Sequence, residues 1–385
     1  MLKIKEILLM SFSMGWEMLW ALVLGFTLSA IIQTVVSRSQ LSKWLGGHDL
    51  KSLAIATLGG AVSSSCSYAA AAIARSLVKQ GADFTAAMAF QFASTNLVLE
   101  LGILLALLLG WQFTLAQFVG GIIMIVNMSL LFRLFLPANL MAEAIAQAKI
   151  DKAGKMEGHA AMDMAVESKG SLFKRIVSPA GKTAISHYYF MDWSSLWTDI
   201  CFGVIIASIL STCLPETFWT FLLCKNNPHL AQWVSPLIGP FIAVLSFVCS
   251  IGNVPMAAVL WQQGMSFGGV LSFLFADLLV LPLLNIYRKY YGAKTASFIA
   301  ISFYISMVIA AYCCQWLFTW SGLIPQAAPQ MTMHHGQIPM YTNFLNVIAL
   351  ILTTLFFKRF YQTGGIAMLK AMDNPTKEAG EHCCH

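Results

Sequence analysis

Charge is what this sequence has least of. Only 10% of its 385 residues are Asp, Glu, Lys or Arg, against about 25% in an ordinary soluble domain. A soluble fold of this length could not clothe itself with so few charges, while 58% of the chain is hydrophobic, so the excess apolar surface needs lipid. The net charge of +6 is not gathered into a basic stripe with aromatics, which excludes a nucleic-acid binder. No small-residue cleavage site follows a short apolar core at the start, so MLKIKEILLMSFSMGWEMLW reads as a retained first span. The nine cysteines are an odd number, several lie inside apolar blocks, and they make no disulfide framework. Enzyme signatures are missing as well. There is no phosphate-cradling glycine loop with its lysine, no nucleophile motif in its flanking context and no HExxH pair.

What is present is a series of apolar blocks, each near the roughly 20 residues that cross a bilayer as a helix. They fall at 12–36, 52–75, 84–109 and 112–136, and again at 194–214, 233–261, 266–287, 296–319 and 342–357. The blocks are continuous and rich in Leu, Ala and Ile, with no period-two alternation, which favours helices over a barrel. The expected fold is an all-α polytopic bundle of about 8–10 spans. Between the halves, 137–190 carries Lys149, Lys152, Lys155, Lys169, Lys174, Arg175 and Lys182. Such a polar linker is expected in the cytoplasm. The divisions are then a first membrane unit at 1–136, the linker at 137–190, a second unit at 191–319, a Met/His loop with the last span at 320–357, and a polar tail at 358–385. One conflict remains. With nine full spans, Arg288, Lys289, Lys294, Lys358 and Arg359 fall outside, against the positive-inside rule.

The two membrane units share a frame. At one constant offset Cys66 meets Cys249, Ser67 meets Ser250, Gly81 meets Gly264, and the Phe90-x-Phe92-Ala93 run meets Phe273-x-Phe275-Ala276. This predicts a duplicated unit, and duplicated transporters place a substrate site between the copies where helices are interrupted. The interruptions are GGAVSSSCS at 59–67 and CSIGNVP at 249–255, in which Pro255 removes a backbone donor. Ser65, Cys66, Ser67, Cys249, Ser250 and Asn253 are therefore expected to line the site, although Ser and Gly also serve close helix packing. Ionisable residues at bilayer depth are costly, which adds Glu100 and Asp277 as cation or proton carriers, with Asp199, Asn96 and Asn285 weaker.

Soft ligands gather elsewhere. The chain ends Glu381-His382-Cys383-Cys384-His385, and a loop carries Met331, Met333, His334, His335 and Met340; Cys, His and Met together suit Cu(I) or Zn(II). Met156, His159, Met162 and Met164 in the linker fit an ordinary amphipathic helix better, and Cys313 and Cys314 read as core residues.

The stretches SSSCSYAAAAIARSLVKQGADFTAAMAFQFASTNLVLELG and CSIGNVPMAAVLWQQGMSFGGVLSFLFADLLVLPLLNIYRKYYG resemble a family of bacterial predicted permeases. That family includes organoarsenical efflux permeases and a branch described as copper/zinc efflux transporters, which the Cys/His tail also resembles. The resemblance implies export of a soft metal or metalloid from the cytoplasm across the inner membrane, with Cys66 and Cys249 at the site. One Cys per unit departs from a three-thiolate arsenite site unless Cys201 or Cys213 joins it. The expectation is a proton-driven efflux permease for copper or zinc, with no cofactor beyond metal ions as cargo, lipid and the ion as its partners, no nucleic acid, and room for a homo-oligomer. Export of trivalent arsenicals and a metal-sensing scaffold without transport are the rivals.

Overall fold

The computed structural model describes residues 2–35, 50–65, 67–79, 81–149, 172–213, 227–246, 250–325 and 340–373. Among these there are helices and no strands. The first half contributes α1 (Leu2–Val35), α2 (Leu50–Ser63), α3 (Ser67–Lys79), α4 (Phe84–Asn96), α5 (Leu99–Leu108), α6 (Trp111–Phe135) and α7 (Ala138–Lys149). After the linker come α8 (Leu172–Val177), α9 (Pro179–Cys213), α10 (Pro228–Ser246), α11 (Ser250–Gln262), α12 (Phe267–Phe275), a 3-10 turn (Ala276–Leu279), α13 (Leu281–Tyr291), α14 (Ala293–Trp320), α15 (Met340–Gln362) and α16 (Gly365–Asp373).

Side-chain contacts fix the direction of each helix. Gln33 of α1 reaches Asp192 in the first half of α9, while Thr212 and Ser208 near the end of α9 meet Met10 and Met14. These two long helices are antiparallel. So are α6 and α14, because Phe132 packs on Phe298 and the Cys314 thiol donates to the Ala116 carbonyl. The end of α6 and the start of α14 lie beside α7 and the linker, at what we term the linker face. From that face α4 sets out, with Phe84 packed on Phe132 and Tyr291. From the opposite face α12 sets out, with Phe267 on Phe113 and Phe318.

The apolar blocks at 52–75 and 233–261 do not cross. Each breaks near its middle and turns back. Helix α2 runs inward from the linker face beside α4, with Gly60 against the Phe90 carbonyl, and α3 returns to that face, where Arg75 meets α7. Helix α10 enters from the opposite face, with Trp233 beside Trp316, and reaches the level of Tyr304 at Phe241. Helix α11 goes back to that face, where Trp261 packs on Phe113. Among the described residues five helical stretches, α4–α5 counted as one, are long and apolar enough to cross a membrane, and α12–α13, bent by 44°, makes a sixth. The 35-residue α9 lies along α1, and its apolar stretch Ile200–Ile209 is shorter than those of the other long helices. With both hairpins turning back, Arg288, Lys289, Lys294, Lys358 and Arg359 share the linker face with Lys79, Arg133, Lys149, Arg175 and Lys182, while Lys5 at the start of α1 lies toward the opposite face.

Local chemistry explains the breaks. Gly81 and Gly264, with φ of +93° and +85°, close α3 and α11. In both turns the next residue's N–H reaches back five residues, from Ala82 to Leu77 and from Met265 to Leu260, each at 3.0 Å, the C-terminal cap that glycine allows. Two residues after each glycine a side chain caps the next helix. Asp83 accepts from the Ala86 N–H and Ser266 from the Gly269 N–H, both at 3.1 Å. The following helix pairs break at Val98 and Val280, both in extended backbone. Outward faces carry Ile122, Val126 and Leu130 of α6, Ile301 and Ile305 of α14, and Val347, Ile351 and Leu355 of α15, a surface suited to lipid.

The last crossing, α15, holds the others. Arg359 donates to the Pro179 carbonyl at 2.7 Å, and Tyr189 pairs with Thr353 at 2.7 Å. Asn346 is fully buried and bonds to two backbone groups of α1. Its Oδ1 accepts from the Trp20 N–H at 3.0 Å and its Nδ2 donates to the Trp16 carbonyl at 2.7 Å.

A buried polar cluster where the broken helices meet

Breaking a helix at depth frees backbone groups, which must then find partners inside the protein. Here the freed groups and a carboxylate satisfy one another. The first hairpin leaves α2 at Ser64 and Ser65, where the Ser65 N–H donates to the Ser94 carbonyl of α4 at 3.0 Å. The Ser63 and Ser65 hydroxyls pair at 3.0 Å. Ser64 is buried with φ of +39°, the one non-glycine in the left-handed region among the described residues, and its hydroxyl finds no partner there. A strained residue with an orphaned hydroxyl points to a functional turn.

Asp277, in the 3-10 turn between α12 and α13, is completely buried. Its Oδ2 accepts from the Ser67 hydroxyl at the start of α3, at 2.9 Å. Its Oδ1 accepts from Asn96 Nδ2 at the end of α4, at 3.1 Å. One carboxylate thus ties the tip of the first hairpin to both helix breaks. No Lys, Arg or His is set against it among the described residues. Donors alone compensate it, and they stabilise a carboxylate less than a cation would.

A further layer supports these groups. Gln117 of α6 donates to Asn96 Oδ1 at 3.0 Å and to the Asn96 carbonyl at 3.3 Å. Gln91 donates to the Tyr287 hydroxyl. Neither glutamine stood out in the sequence. A glutamine amide inside a long apolar block is as costly as the amides that did stand out, and that was the available signal. Arg75 also escaped notice. It is 2% exposed, donates to the Ala148 carbonyl at 3.1 Å and lies 4.4 Å over the Tyr290 ring, so it caps α7 from within the first hairpin.

The other expected site residues are placed as follows. Ser250 and Asn253 are buried at the start of α11, and α11 packs on α5, α9 and α12. Glu100 is buried in the first turn of α5 and faces α1, where a Cβ on Gly25 would stand 2.5 Å from its own. Ser67, Asn96 and Asp277 are thus brought together, and Glu100 turns to a different interface. Asn285 lies on α13 and Asp199 on α9. Cys66, Cys249, Met331, Met333, His334, His335, His382, Cys383, Cys384 and His385 lie outside the described residues, as do Met156, His159, Met162 and Met164. Cys314 is buried, as expected of a core residue, whereas Cys313 is exposed, and so are Cys201 and Cys213. Among the described residues no three His, Cys, Asp or Glu side chains gather.

Lipid-facing helices around broken helices that bury a carboxylate at depth define a multi-pass membrane protein of the permease class. Comparison with known proteins agrees. Residues 3–316 match the family described as "Predicted permease" (ArsP_1), and the chain belongs to that family. A Mycobacterium tuberculosis protein named "Putative permease Rv2963" is 50% identical over 348 residues, which cover 90% of this chain and 86% of that one. No solved structure matches. The family match ends before α15 begins.

Proposed function

We infer that the chain is a secondary efflux permease of the inner membrane that exports a soft metal ion, copper or zinc, in exchange for protons. The observation that carries this reading is the Asp277 cluster, a carboxylate held by the first hairpin and both helix breaks at the centre of the bundle. The supporting reasoning runs from chemistry to direction. Cys66 stands in sequence between Ser65 and Ser67, and Cys249 immediately precedes Ser250, so a soft cation has a thiol beside each hairpin's serines. Thiols lose protons when they bind metal, which links cargo to protons. The gathering of Lys and Arg at the linker face supports a cytoplasmic side for that face. The antiparallel course of α1 against α9 and α6 against α14 fits two copies of one unit in inverted orientation, the arrangement that supports alternating access.

Everted membrane vesicles under a proton gradient test this. The wild-type protein should take up Cu(I) or Zn(II). The Cys66→Ser, Cys249→Ser double variant should lose the uptake, and Asp277→Asn should lose it too. Uptake of trivalent arsenicals with neither metal carried would move the cargo to metalloids. Failure to carry any of them would leave the metal-sensing scaffold as the better reading.

A further inference from the structure

The turn from α13 to α14 lies at the linker face, on the far side of the bundle's first helices from the hairpin tips. Gly292, with φ of +86°, closes α13 and stands directly before α14. It has no side chain, so the first N–H groups of the 28-residue α14 go without a side-chain cap. A Cβ on Gly292 would meet nothing within 4 Å. That open space belongs to a cleft of about 510 Å³ between α7 and the start of α14, a volume in the range of small-ligand sites, about 300–1,000 Å³. Glu143, Ala146 and Gln147 of α7 form one wall, and Tyr291 with the first turn of α14 forms the other.

The walls select a chemistry. Uncapped N–H groups and the positive end of the α14 dipole favour an anion, a phosphate above all. Lys294, in that same turn, adds a full charge. Tyr291 is 1% exposed, and its hydroxyl finds no hydrogen-bond partner among the described residues. Native proteins rarely leave such a group unserved, and beside a cleft its partner is a ligand or water. Glu143, on the facing wall, opposes a bare anion. It suits a ligand whose phosphate also carries an amine. Among the described residues Glu143 and Lys294 form no ion pair with each other, so both are available to such a ligand.

We propose that this cleft binds a phosphate that carries an amine, with the phosphate at the first turn of α14 and Lys294 and the amine at Glu143. A phosphatidylethanolamine headgroup and soluble phosphoethanolamine share this chemistry. The position suits the lipid. Lys294 heads an exposed stripe of α14 that continues through Ser297, Ile301 and Ile305, spaced as one helix face. Acyl chains can follow that stripe down from a headgroup held at the face. The α7 wall is also tied to both halves. Its Ala148 carbonyl accepts from Arg75 of the first hairpin at 3.1 Å, and Gln147 donates to the Lys289 carbonyl of α13 at 3.4 Å. A ligand across the cleft adds a tie between α7 and α14. Nothing in the proposal depends on which cargo the permease carries.

Native mass spectrometry of the full chain in detergent, titrated with phosphatidylethanolamine, phosphatidylglycerol or O-phosphoethanolamine, tests the site. Phosphatidylethanolamine should bind at one saturable site. Lys294→Gln should weaken it about tenfold, the loss of one charge-assisted hydrogen bond. Lys182→Gln, an exposed cation of α9 at the same face, should leave it nearly unchanged. Glu143→Gln should erase the preference over phosphatidylglycerol, and Ala146→Phe, which fills the cleft from α7, should abolish the site. Hydrogen exchange in the wild type should slow over 138–149 when the lipid binds, a readout that needs no variant to fold. Competition by O-phosphoethanolamine would make the soluble group the ligand, and its failure to compete would make it the lipid; either outcome supports the shared chemistry. Equal losses in Lys294→Gln and Lys182→Gln, an unaltered preference in Glu143→Gln, or unchanged exchange over 138–149 would each overturn it.

Discussion

The two hairpins are built alike and equipped differently. Each ends in a glycine turn with the same pair of backbone hydrogen bonds, and each is followed by a side-chain cap two residues on. Each packs a glycine against its neighbour so closely that a Cβ would overlap. Gly60 would meet the Phe90 carbonyl at 2.3 Å, and Gly239 the Ser272 hydroxyl at 2.2 Å. The first hairpin ends in serines, one of them in strained backbone. The second carries Pro236 and Pro240 in α10 and Pro255 in α11, and α14 compensates by donating the Tyr304 and Tyr312 hydroxyls to the Leu237 and Trp233 carbonyls. The carboxylate is single. At the offset that pairs Cys66 with Cys249, Asp277 falls opposite Ser94. Scaffold features therefore occur twice and charge-bearing chemistry once, so stability should respond in pairs and transport on one side only.

Transport offers the sharpest break of that pairing. Asp277→Asn should lower the rate by at least about a hundredfold, roughly 2.7 kcal/mol, whereas Ser94→Ala, at the matching place, should lower it far less; vesicle flux compares the two. Equal losses would mean the halves share the chemistry. Next in size, Gly60→Ala and Gly239→Ala should each cost about 2–3 kcal/mol through overpacking, read as lowered thermal midpoints in detergent. A harmless substitution at one of them would show that the two packings differ. Removing the caps, with Asp83→Ala and Ser266→Ala, should cost about 1 kcal/mol apiece, and hydrogen exchange should locate the loss in the first turns of α4 and α12. The smallest effect is a gain. Ser64→Gly relieves a left-handed residue worth about 1 kcal/mol and gives back part of that as chain entropy. A net increase of about half a kcal/mol in stability is expected, with no counterpart in the second hairpin.

Much of this was legible in the residues, and the gaps have physical causes. Hydropathy located every long helix, since lipid demands length and composition. It could not separate a crossing from a hairpin at 52–75 and 233–261, because both bury apolar residues and differ only in the break between their helices. The charges at 288–294 and 358–359 held that information as a contradiction. Asp277 and Asn96 were visible because polar groups at depth are rare. Their pairing was not, because it joins helices 181 residues apart in the chain. Glu100 looked equivalent to Asp277 by composition, yet it turns toward Gly25 of α1, a choice made by helix rotation that spacing does not encode.

Asn346 gives α1 an unusual mechanical property. A straight helix resists bending because opening one rung strands an N–H and a carbonyl in a medium with nothing to offer them. Between Trp16 and Trp20 that cost is already covered, since one amide serves both groups. The helix that lies along α9 and α5 therefore contains a joint whose exposed ends are dressed in advance. The side chain dressing them comes from α15, the crossing that lies beyond the stretch shared with the family.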